Sequence, residues 1–228
     1  GLSFPVFVKP QFGDGSAGIT VGSLCNTHDK LVARLAALDK EFPGKPVLIQ
    51  EYLTGAEFSV ALVSAIGANN AKMAPPLCSS NGVSEQEKQL NEKYKVYVDP
   101  TWRVLPVIQV DWSRLPPSLP KILGFESKWE PSSPYWTSLS YNVPESTPEI
   151  ERMIAMSKKL ADRLDTRDYV RIDWRADAHG VIKLLEVNPN PGWCWDGHLA
   201  QCASKMGWTY SDVLAAIISA AQHRVLAT

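Results

Sequence analysis

The amino-acid sequence predicts an α+β domain built on an antiparallel sheet with helices packed against it. Short β-branched and apolar runs alternate irregularly with amphipathic stretches, rather than in the regular strand–helix pairs of a parallel sheet. The segment from Asp168 to Gly192 reads as two strands joined by a short turn that ends in Gly180. At 228 residues the chain is long enough for a sizeable core, as one large domain or two small ones.

The first half of the chain predicts four strands and one helix. Pro5–Lys9 is expected to form a buried strand, and after a glycine-rich loop the chain returns as a paired strand at Ile19–Val21. A helix is expected after Thr27, whose side chain suits the N-cap, and Pro43 lies where that helix ends. The next strands are expected at Val47–Glu51 and Glu57–Ile66.

The second half predicts one more strand before the hairpin and three helices. Residues 67–103 are polar and irregular, Val104–Val110 reads as a strand, and the stretch from Trp112 to Pro148 is rich in proline and aromatic residues, which suits a substrate-side loop. Pro148 opens a helix behind Thr147, with apolar residues at helical spacing. The other helices are expected at His198–Met206 and Ser211–His223.

The bulk composition excludes several classes of partner. The formal net charge is −1 with both signs interspersed, so no nucleic-acid partner is expected. No apolar run approaches the ~18 residues of a membrane span, and there is no signal-peptide pattern, so no membrane partner is expected. The cysteines are scattered without paired spacing, as a reducing compartment permits, and we expect a cytoplasmic protein.

The predicted hairpin gathers polar side chains on one face. If its turn closes symmetrically, Arg171 lies opposite Glu186 and Asp173 opposite Leu184, and Asn188 follows on the same face as the first three polar residues. The other face is apolar and comprises Val170, Ile172, Trp174, Leu185 and Val187. Gathered carboxylates repel one another unless a cation compensates them, and their oxygens suit magnesium. A solvated face, with the arginine pairing across the strands, is the alternative.

Two other patterns bear on chemistry. Cys194, His198 and Cys202 recur every four residues and could share a helix face, but a zinc site would need a fourth ligand that the sequence does not identify. In VKPQFGDGSAGI, Lys9 ends a strand and precedes three glycines and a serine. Such a loop lets backbone amides approach a phosphate, although the spacing matches neither GxxxxGK[ST] nor GxGxxG and a plain turn is the alternative.

Taken together and in order, these segments resemble the ATP-grasp superfamily, and within it the D-alanine–D-alanine ligase group. The segments are VKPQFGDGSAGI, VLIQEYLTGAEF, RVLPVIQV, FESKW, YVRIDWRADAHGVIKLLEVNPNPG and GWTYSDVLAAII. The resemblance runs from Phe4 to the last helix, except for about residues 67–103 and the proline-rich region. It implies an ATP-grasp fold that holds ATP between a small α+β subdomain, residues 1–65, and a larger antiparallel-sheet subdomain with flanking helices, residues 66–228.

The resemblance also implies a role for individual residues at the nucleotide. Lys9 would contact a phosphate and the adenine edge, Gly15 and Ser16 would cover the β- and γ-phosphates, and Gln50 would bind the adenine amino group. The remaining nucleotide contacts would be Glu51 and Leu53 through their backbones, Glu57 at the ribose and Lys128 at the phosphates.

The implied chemistry is ATP-dependent ligation of a carboxylate and an amine, both small and amino-acid-like, through an acylphosphate. Asp173, Glu186 and Asn188 match magnesium ligands, for two ions, and Arg171 matches the arginine that stabilises the tetrahedral intermediate. Lys128 and Ser16 are the other catalytic candidates. Positioning and charge neutralisation would supply the catalysis, without a covalent nucleophile.

The chain departs from the ligase pattern at both ends of the resemblance. Only eight residues precede Lys9, so we expect the family's amino-terminal domain to be missing from this sequence, which would then be a fragment or a chain that needs another segment for activity. In the loop after the hairpin, Gly197 replaces a serine that grips the substrate carboxylate, beside Trp193 and Trp195. These changes predict a substrate other than two D-alanines, larger or flatter, unless the tryptophans serve only packing.

A smaller departure lies on the phosphate side. Trp129 follows Lys128 where those ligases have tyrosine, and Gly15 precedes Ser16 where they have a serine pair. Two other functions stay open: an ATP-grasp phosphotransferase or carboxylase, which would share the ATP site, and an ATP-binding module without independent catalysis. The sequence also leaves open the substrates and the oligomeric state, for which the resemblance offers a homodimer.

Overall fold

The computed structural model describes residues 3–13, 15–66, 89 and 101–226. The predictions for residues 67–88 and 90–100 therefore lie outside the described residues. The strands are β1 (Val6–Pro10), β2 (Leu24–Cys25), β3 (Val47–Glu51), β4 (Glu57–Ser64), β5 (Trp102–Val104), β6 (Ile108–Asp111), β7 (Ser140–Asn142), β8 (Tyr169–Ala176) and β9 (Ile182–Asn188). The helices are α1 (His28–Glu41), α2 (Glu126–Trp129), α3 (Pro134–Ser138), α4 (Pro148–Arg163), α5 (His198–Ser204) and α6 (Tyr210–Leu226). This mixture of helices and antiparallel strands confirms the predicted α+β class.

The chain divides into two compact units. The first comprises residues 1–55, 110–140 and 177–179, and the second comprises residues 56–109, 141–176 and 180–228. The sequence-based division into residues 1–65 and 66–228 stays a prediction about the two halves of the fold.

The first unit contains a three-stranded sheet in the order β2-β1-β3, with α1 packed on one face. Alternation along β1 buries Val6 and Val8 against Leu38 of α1, and leaves Lys9 on the opposite face. The Thr27 hydroxyl accepts a hydrogen bond from the Lys30 amide at 3.3 Å, which confirms the predicted N-cap of α1.

The second sheet has the order β7-β6-β4-β8-β9, with β5 also paired to β4. Strand β4 is antiparallel to β5, β6 and β8, and β8 is antiparallel to β9. The central position of β4 explains its near-continuous burial, because both of its edges are paired and both of its faces are covered.

Helices pack on both faces of this sheet. On one face, Val60 and Ile172 pack against Ile154 of α4 within a large apolar cluster. The N-cap of α4 is Thr147, which accepts a hydrogen bond from the Ile150 amide at 3.3 Å, as predicted. On the other face, Ala61 and other small and apolar side chains pack under α5 and α6.

Two predicted strands are wrong in detail. Ile19–Val21 does not return as a strand, because the Thr20 side chain and Ser23 form a capping box that starts a 3₁₀ turn at Val21–Ser23, and β2 begins only at Leu24. The predicted strand Val104–Val110 is split into β5 and β6. Pro106 lies in the gap, where it has no amide hydrogen to donate to a strand neighbour.

The register of the β8–β9 hairpin also differs from the symmetric prediction. Asp173 lies opposite Glu186 and Arg171 lies opposite Asn188, whereas Trp174 lies opposite Leu184. Leu185 is therefore the extra residue of a β-bulge on β9, rather than a member of the apolar face. The turn is one residue longer than predicted and the bulge adds one more, so the partners of Arg171 and Asp173 lie two positions further along β9 and the four polar residues stay on the same face.

Candidate functional site

The candidate site on the second unit is a cluster of four polar side chains on β8 and β9. Asp173 is 7% exposed, although it carries a carboxylate. Its Oδ2 accepts a hydrogen bond from Arg171 Nη2 at 2.9 Å and another from Asn188 Nδ2 at 3.0 Å. The same Asn188 amide donates to Glu186 Oε1 at 3.2 Å. One amide group thus bridges two carboxylates, and one guanidinium compensates them.

A second layer of hydrogen bonds approaches Asp173 from β4. Ser59 lies directly opposite Asp173 in the β4–β8 ladder, and its hydroxyl donates to Asp173 Oδ1 at 2.7 Å. The Ser59 oxygen is also 2.9 Å from His198 Nδ1, at the first residue of α5. His198 Nε2 is in turn 3.0 Å from the Tyr141 hydroxyl, and the two rings meet edge to face at 4.9 Å.

The electrostatics of the cluster favour an ionised Asp173. Burial by itself raises the pKa of this carboxyl, but the nearby Arg171 guanidinium, His198 and the Ser59 hydrogen bond together lower the pKa below its ordinary value. Burial lowers the pKa of Arg171, and the Asp173 carboxylate outweighs that effect and raises it. The pair is therefore a buried ion pair, with Glu186 as a more exposed second carboxylate 4.0 Å from Arg171 Nη2.

The donor set fits a hard divalent cation. Asp173, Glu186 and Asn188 offer carboxylate and amide oxygens, and their side chains already meet through the bridging amide. Because the oxygen and nitrogen of an asparagine amide are assigned from the hydrogen-bond pattern, the Asn188 oxygen can take the cation-facing place when a metal compensates the acids. Within the described parts of the chain there is no group of three or more His, Cys, Asp or Glu residues that could hold a metal. The zinc interpretation of Cys194, His198 and Cys202 is therefore wrong.

Glu57, the predicted ribose contact, belongs to the same face of β4 as Ser59. Its Oε2 accepts a hydrogen bond from Arg175 Nη1 at 2.9 Å, and both side chains are less than a tenth exposed. Along this face of β4 the residues thus change from Ala61, which packs under the helices, to Ser59 and Glu57, which bind charged groups of β8. On β8, the residues on this face are Arg171, Asp173 and Arg175, so charged side chains follow one another along the strand.

The candidate phosphate loop lies in the first unit, between β1 and the 3₁₀ turn. Ser16 has φ 61°, a left-handed conformation that is uncommon for a residue with a side chain and is often found at functional sites. Its hydroxyl donates to the Leu123 carbonyl at 3.2 Å. Gly15 and Gly18 also have positive φ values, of 62° and 68°. The loop therefore carries three left-handed residues within four positions.

The segment that leads into α2 supports this loop. The Phe125 amide donates to the Ile19 carbonyl at 2.7 Å, and the Trp129 indole Nε1 donates to the Gly15 carbonyl at 2.9 Å. A Cβ atom on Gly124 would lie 2.7 Å from the Ile19 carbonyl oxygen, so this contact requires glycine. Lys128 therefore lies on a helix that is hydrogen-bonded to the glycine-rich segment both at its start, through Phe125, and at its end, through Trp129.

The remaining predicted nucleotide contacts lie on β1, β3 and the residues after them. Lys9 pairs with Leu48 and Gln50 pairs with Phe7 across the β1–β3 ladder, which places the lysine and the glutamine on the same face of the small sheet. Glu51 lies opposite Val6, on the alternate face, and Leu53 is buried. A contact by Glu51 and Leu53 through the backbone is compatible with these positions.

A family model described as "D-ala D-ala ligase C-terminus" matches residues 99–219, which is more than half of the chain. The chain belongs to this family. The predicted resemblance to D-alanine–D-alanine ligases is thereby confirmed. The family match includes β8, β9 and the whole Arg171–Asn188 cluster.

Curated relatives extend the D-ala D-ala ligase similarity to nearly the full chain. A D-alanine--D-alanine ligase from Haemophilus ducreyi is 25% identical over 218 residues, which is 95% of this chain and 54% of that protein. One from Maridesulfovibrio salexigens is 23% identical over 223 residues, which is 98% of this chain and 57% of that protein. The chain thus spans about half the length of the curated relatives it matches.

Solved structures show the same fold. The D-alanine--D-alanine ligase of Bacillus anthracis complexed with ATP matches with a TM-score of 0.60 and 20% identity, over 96% of this chain and 53% of that chain. The VanG D-Ala:D-Ser ligase of Enterococcus faecalis matches with a TM-score of 0.57 and 18% identity, over 95% of this chain and 49% of that chain. The predicted ATP-grasp fold is confirmed.

Sequence reasoning missed four members of the polar cluster: Ser59, Tyr141, Arg175 and, as a hydrogen-bond partner of Ser59, His198. The sequence does contain a pattern that could have identified two of them. Ser59 shares the period-two pattern of Glu57 within an apolar strand, and Arg175 continues the alternation from Arg171 and Asp173. The approach of His198 and Tyr141 depends on chain segments far apart in sequence, and only the tertiary structure brings them together.

Proposed function

We propose that this protein is an ATP- and Mg²⁺-dependent carboxylate–amine ligase that acts through an acylphosphate. The observation that supports this most directly is the buried Asp173–Arg171 ion pair with Glu186 and Asn188 on the same sheet face. Membership of the D-ala D-ala ligase family supports the ligase class, and the substrate is proposed to differ from two D-alanines because bulky Trp193 and Trp195 follow the hairpin.

The residues of the chain have separate proposed tasks. Lys9, Gln50, Glu57 and the backbones of Glu51 and Leu53 bind the nucleotide, and Gly15, Ser16 and Lys128 orient its phosphates. A substrate carboxylate oxygen attacks the γ-phosphorus and ADP leaves. The neutral amine then attacks the acyl carbon and loses a proton, and phosphate leaves with that oxygen. Arg171 lies beside the acids and stabilises the negative charge of the tetrahedral intermediate.

Asp173, Glu186 and Asn188 are the proposed ligands of Mg²⁺, for two ions. When bound, Mg²⁺ neutralises charge on the phosphate oxygens and so lowers the barrier to phosphoryl transfer. Arg171 keeps the buried Asp173 ionised before a cation arrives, so the site does not have to lose a proton on binding.

The first test is a calorimetric titration of the chain with a non-hydrolysable ATP analogue and Mg²⁺. Asp173→Ala and Glu186→Ala are expected to weaken Mg²⁺-dependent binding by at least about tenfold, as for loss of one carboxylate ligand. Glu151→Ala removes an exposed acid of α4 and serves as the matched control, with binding unchanged. Identical titrations of the wild type and both site variants would show that the metal assignment is wrong.

The second test addresses the reaction itself. A carboxylate substrate labelled with ¹⁸O, found by screening amino acids and small acids for ADP release, is expected to deliver one labelled oxygen to the released phosphate. Phosphate without label would contradict the acylphosphate route. An ATP-grasp phosphotransferase or carboxylase would instead release ADP without forming an amide.

A second candidate function is nucleotide binding without turnover by this chain alone. The observation that favours it is length, since the chain spans about half of the relatives it matches. This candidate predicts that the chain binds the ATP analogue with Mg²⁺ but releases no ADP until a longer polypeptide is supplied.

Three further properties stay predictions: a cytoplasmic location, a homodimer and the amino-acid-like nature of both substrates.

A further inference from the structure

The histidine at the start of α5 points to a function that the ligase assignment does not give it. His198 and Ser59 are 139 positions apart in the chain, and β4 and α5 bring the imidazole Nδ1 to 2.9 Å from the Ser59 oxygen. Ser59 is 3% exposed, and its hydroxyl donates to Asp173. A buried polar contact of this kind needs a defined hydrogen-bond pattern, because each unmatched group would cost free energy.

The direction of each hydrogen bond follows from the charge on Asp173. Two donors of the Arg171 guanidinium bind this carboxylate, which is therefore ionised and accepts only. The single proton of the Ser59 hydroxyl points to Asp173 Oδ1, so the Ser59 oxygen can only accept from His198. The hydrogen of the imidazole must therefore lie on Nδ1, whether the ring is neutral or charged.

The other side of the ring continues the chain of hydrogen bonds. In the neutral imidazole, Nε2 accepts, and the Tyr141 hydroxyl at 3.0 Å is the donor. Burial raises the pKa of Tyr141 to about 12, with Glu57 as the next cause, so this hydroxyl keeps its proton at neutral pH. Every donor from Tyr141 through His198 and Ser59 then points toward Asp173, and each bond polarises the next one.

We propose that His198, acting through Ser59, is a positioning residue that fixes the metal-binding carboxylate of Asp173. The proposal rests on the proposed function, because it gives the task of Asp173 to metal binding. Asp173 Oδ1 accepts hydrogen bonds from Ser59 on β4 and from Arg171 Nε on β8, so the carboxylate cannot rotate without breaking them. Partners that orient metal ligands in this way commonly change metal affinity about 10- to 100-fold when removed.

The first readout is the tautomer of His198, which needs neither metal nor substrate. In the chain labelled with ¹⁵N-histidine, the resonance lost in His198→Leu identifies the ring, and long-range ¹H–¹⁵N spectra report which nitrogen carries hydrogen. The Nδ1–H form is expected in the wild type, and Ser59→Ala is expected to release the ring toward the Nε2–H form. A ring that serves packing alone would show the same tautomer in both proteins.

The second readout is Mn²⁺ affinity, followed by electron paramagnetic resonance in the presence of an ATP analogue. His198→Leu and Ser59→Ala are each expected to weaken Mn²⁺ binding about 10- to 100-fold. The double variant is expected to be no weaker than Ser59→Ala alone, because His198 acts through the serine. His198→Asn places an amide donor near the Nδ1 position and is expected to restore part of the affinity.

Controls separate this proposal from the proposed function. His179→Leu changes an exposed histidine of the hairpin turn and is expected to leave Mn²⁺ affinity unchanged. Wild-type binding that His198→Leu and Ser59→Ala do not alter would overturn the positioning role and leave the ligase proposal standing. A wild-type chain that binds no Mn²⁺ with the nucleotide analogue would overturn both.

Discussion

At the scale of single residues, the larger sheet buries charges of both signs on one face. Asp173 is paired with Arg171, and Glu57 is paired with Arg175, each pair at 2.9 Å. A buried pair contributes little net stability compared with apolar residues, yet removal of one partner leaves an uncompensated charge. Replacement of one partner of such a pair is therefore expected to lower the free energy of unfolding strongly.

Arg175→Met tests this at a position beside the proposed metal ligands. The variant leaves the Glu57 carboxylate buried without Arg175, and the free energy of unfolding is expected to fall by about 3–5 kcal/mol. Urea unfolding measures it. The double variant Arg175→Met/Glu57→Leu is expected to recover most of the loss, because no charge stays buried.

The pair Arg167–Asp165 supplies a matched surface control, since its side chains are 63% and 84% exposed. Arg167→Met is expected to change stability by less than about 1 kcal/mol. Equal losses for Arg167→Met and Arg175→Met would show that burial of the Glu57 pair is not what decides the effect.

At the scale of elements, the glycine-rich loop is held by both sequence neighbours and distant segments. Gly18 has φ 68°, and a Cβ atom there would lie 2.7 Å from Phe42 Cε2 and 2.7 Å from Pro10 Cγ. Gly44, after α1, has the same φ of 68° but has no atom within 4 Å of its Cβ position among the described residues. The two glycines therefore have the same backbone conformation and differ in the space available to a Cβ atom.

Substitution of these glycines by alanine separates strain from crowding. Gly44→Ala is expected to cost about 1–2 kcal/mol of unfolding free energy, from left-handed strain. Gly18→Ala is expected to cost about 1–3 kcal/mol more, because the added methyl group must displace the Phe42 and Pro10 rings. Urea unfolding of both variants gives the difference, and equal costs would contradict the close packing at Gly18.

At the scale of the whole molecule, the shifted pKa values of Tyr141 and Asp173 make the free energy of unfolding depend on pH. The pKa of Tyr141 rises from 10.0 to about 12, chiefly because of burial. A raised folded-state pKa gives stability that is complete below the unfolded pKa and is lost as the pH rises through the folded pKa. For Asp173 the pKa is lowered, so its stability is complete above the unfolded pKa and is lost as the pH falls through the folded pKa.

Alkaline unfolding checks the tyrosine contribution. Between pH 10 and pH 12 the wild type is expected to lose about 2 kcal/mol through Tyr141, since each pKa unit corresponds to about 1.4 kcal/mol and part of the loss falls outside this range. Tyr141→Phe cannot ionise and is expected to show a correspondingly smaller loss over this pH range. The measurement is the urea midpoint at each pH, and the same pH dependence in both proteins would contradict a buried Tyr141 hydroxyl.

No described helix, within residues 3–66 and 101–226, is long and apolar enough to span a membrane. The sequence-based expectation of no membrane partner and no nucleic-acid partner stays a prediction.

The sequence by itself determined the class of fold, the family and the polar face of the hairpin. Period-two alternation puts Arg171 and Asp173 on one face of β8 and Glu186 and Asn188 on one face of β9, and the helix caps at Thr27 and Thr147 are local. These features depend on neighbours within a few residues, so the pattern of residue types is enough to predict them.

The tertiary structure alone decided the pairing and the partners of that face. The bulge at Leu185, which period-two alternation does not predict, sets which residues of β9 lie opposite Arg171 and Asp173. The contact of His198 with Ser59 joins residues 139 positions apart, and no local pattern encodes such a distance. Long-range packing therefore turned a set of polar residues into an ordered site.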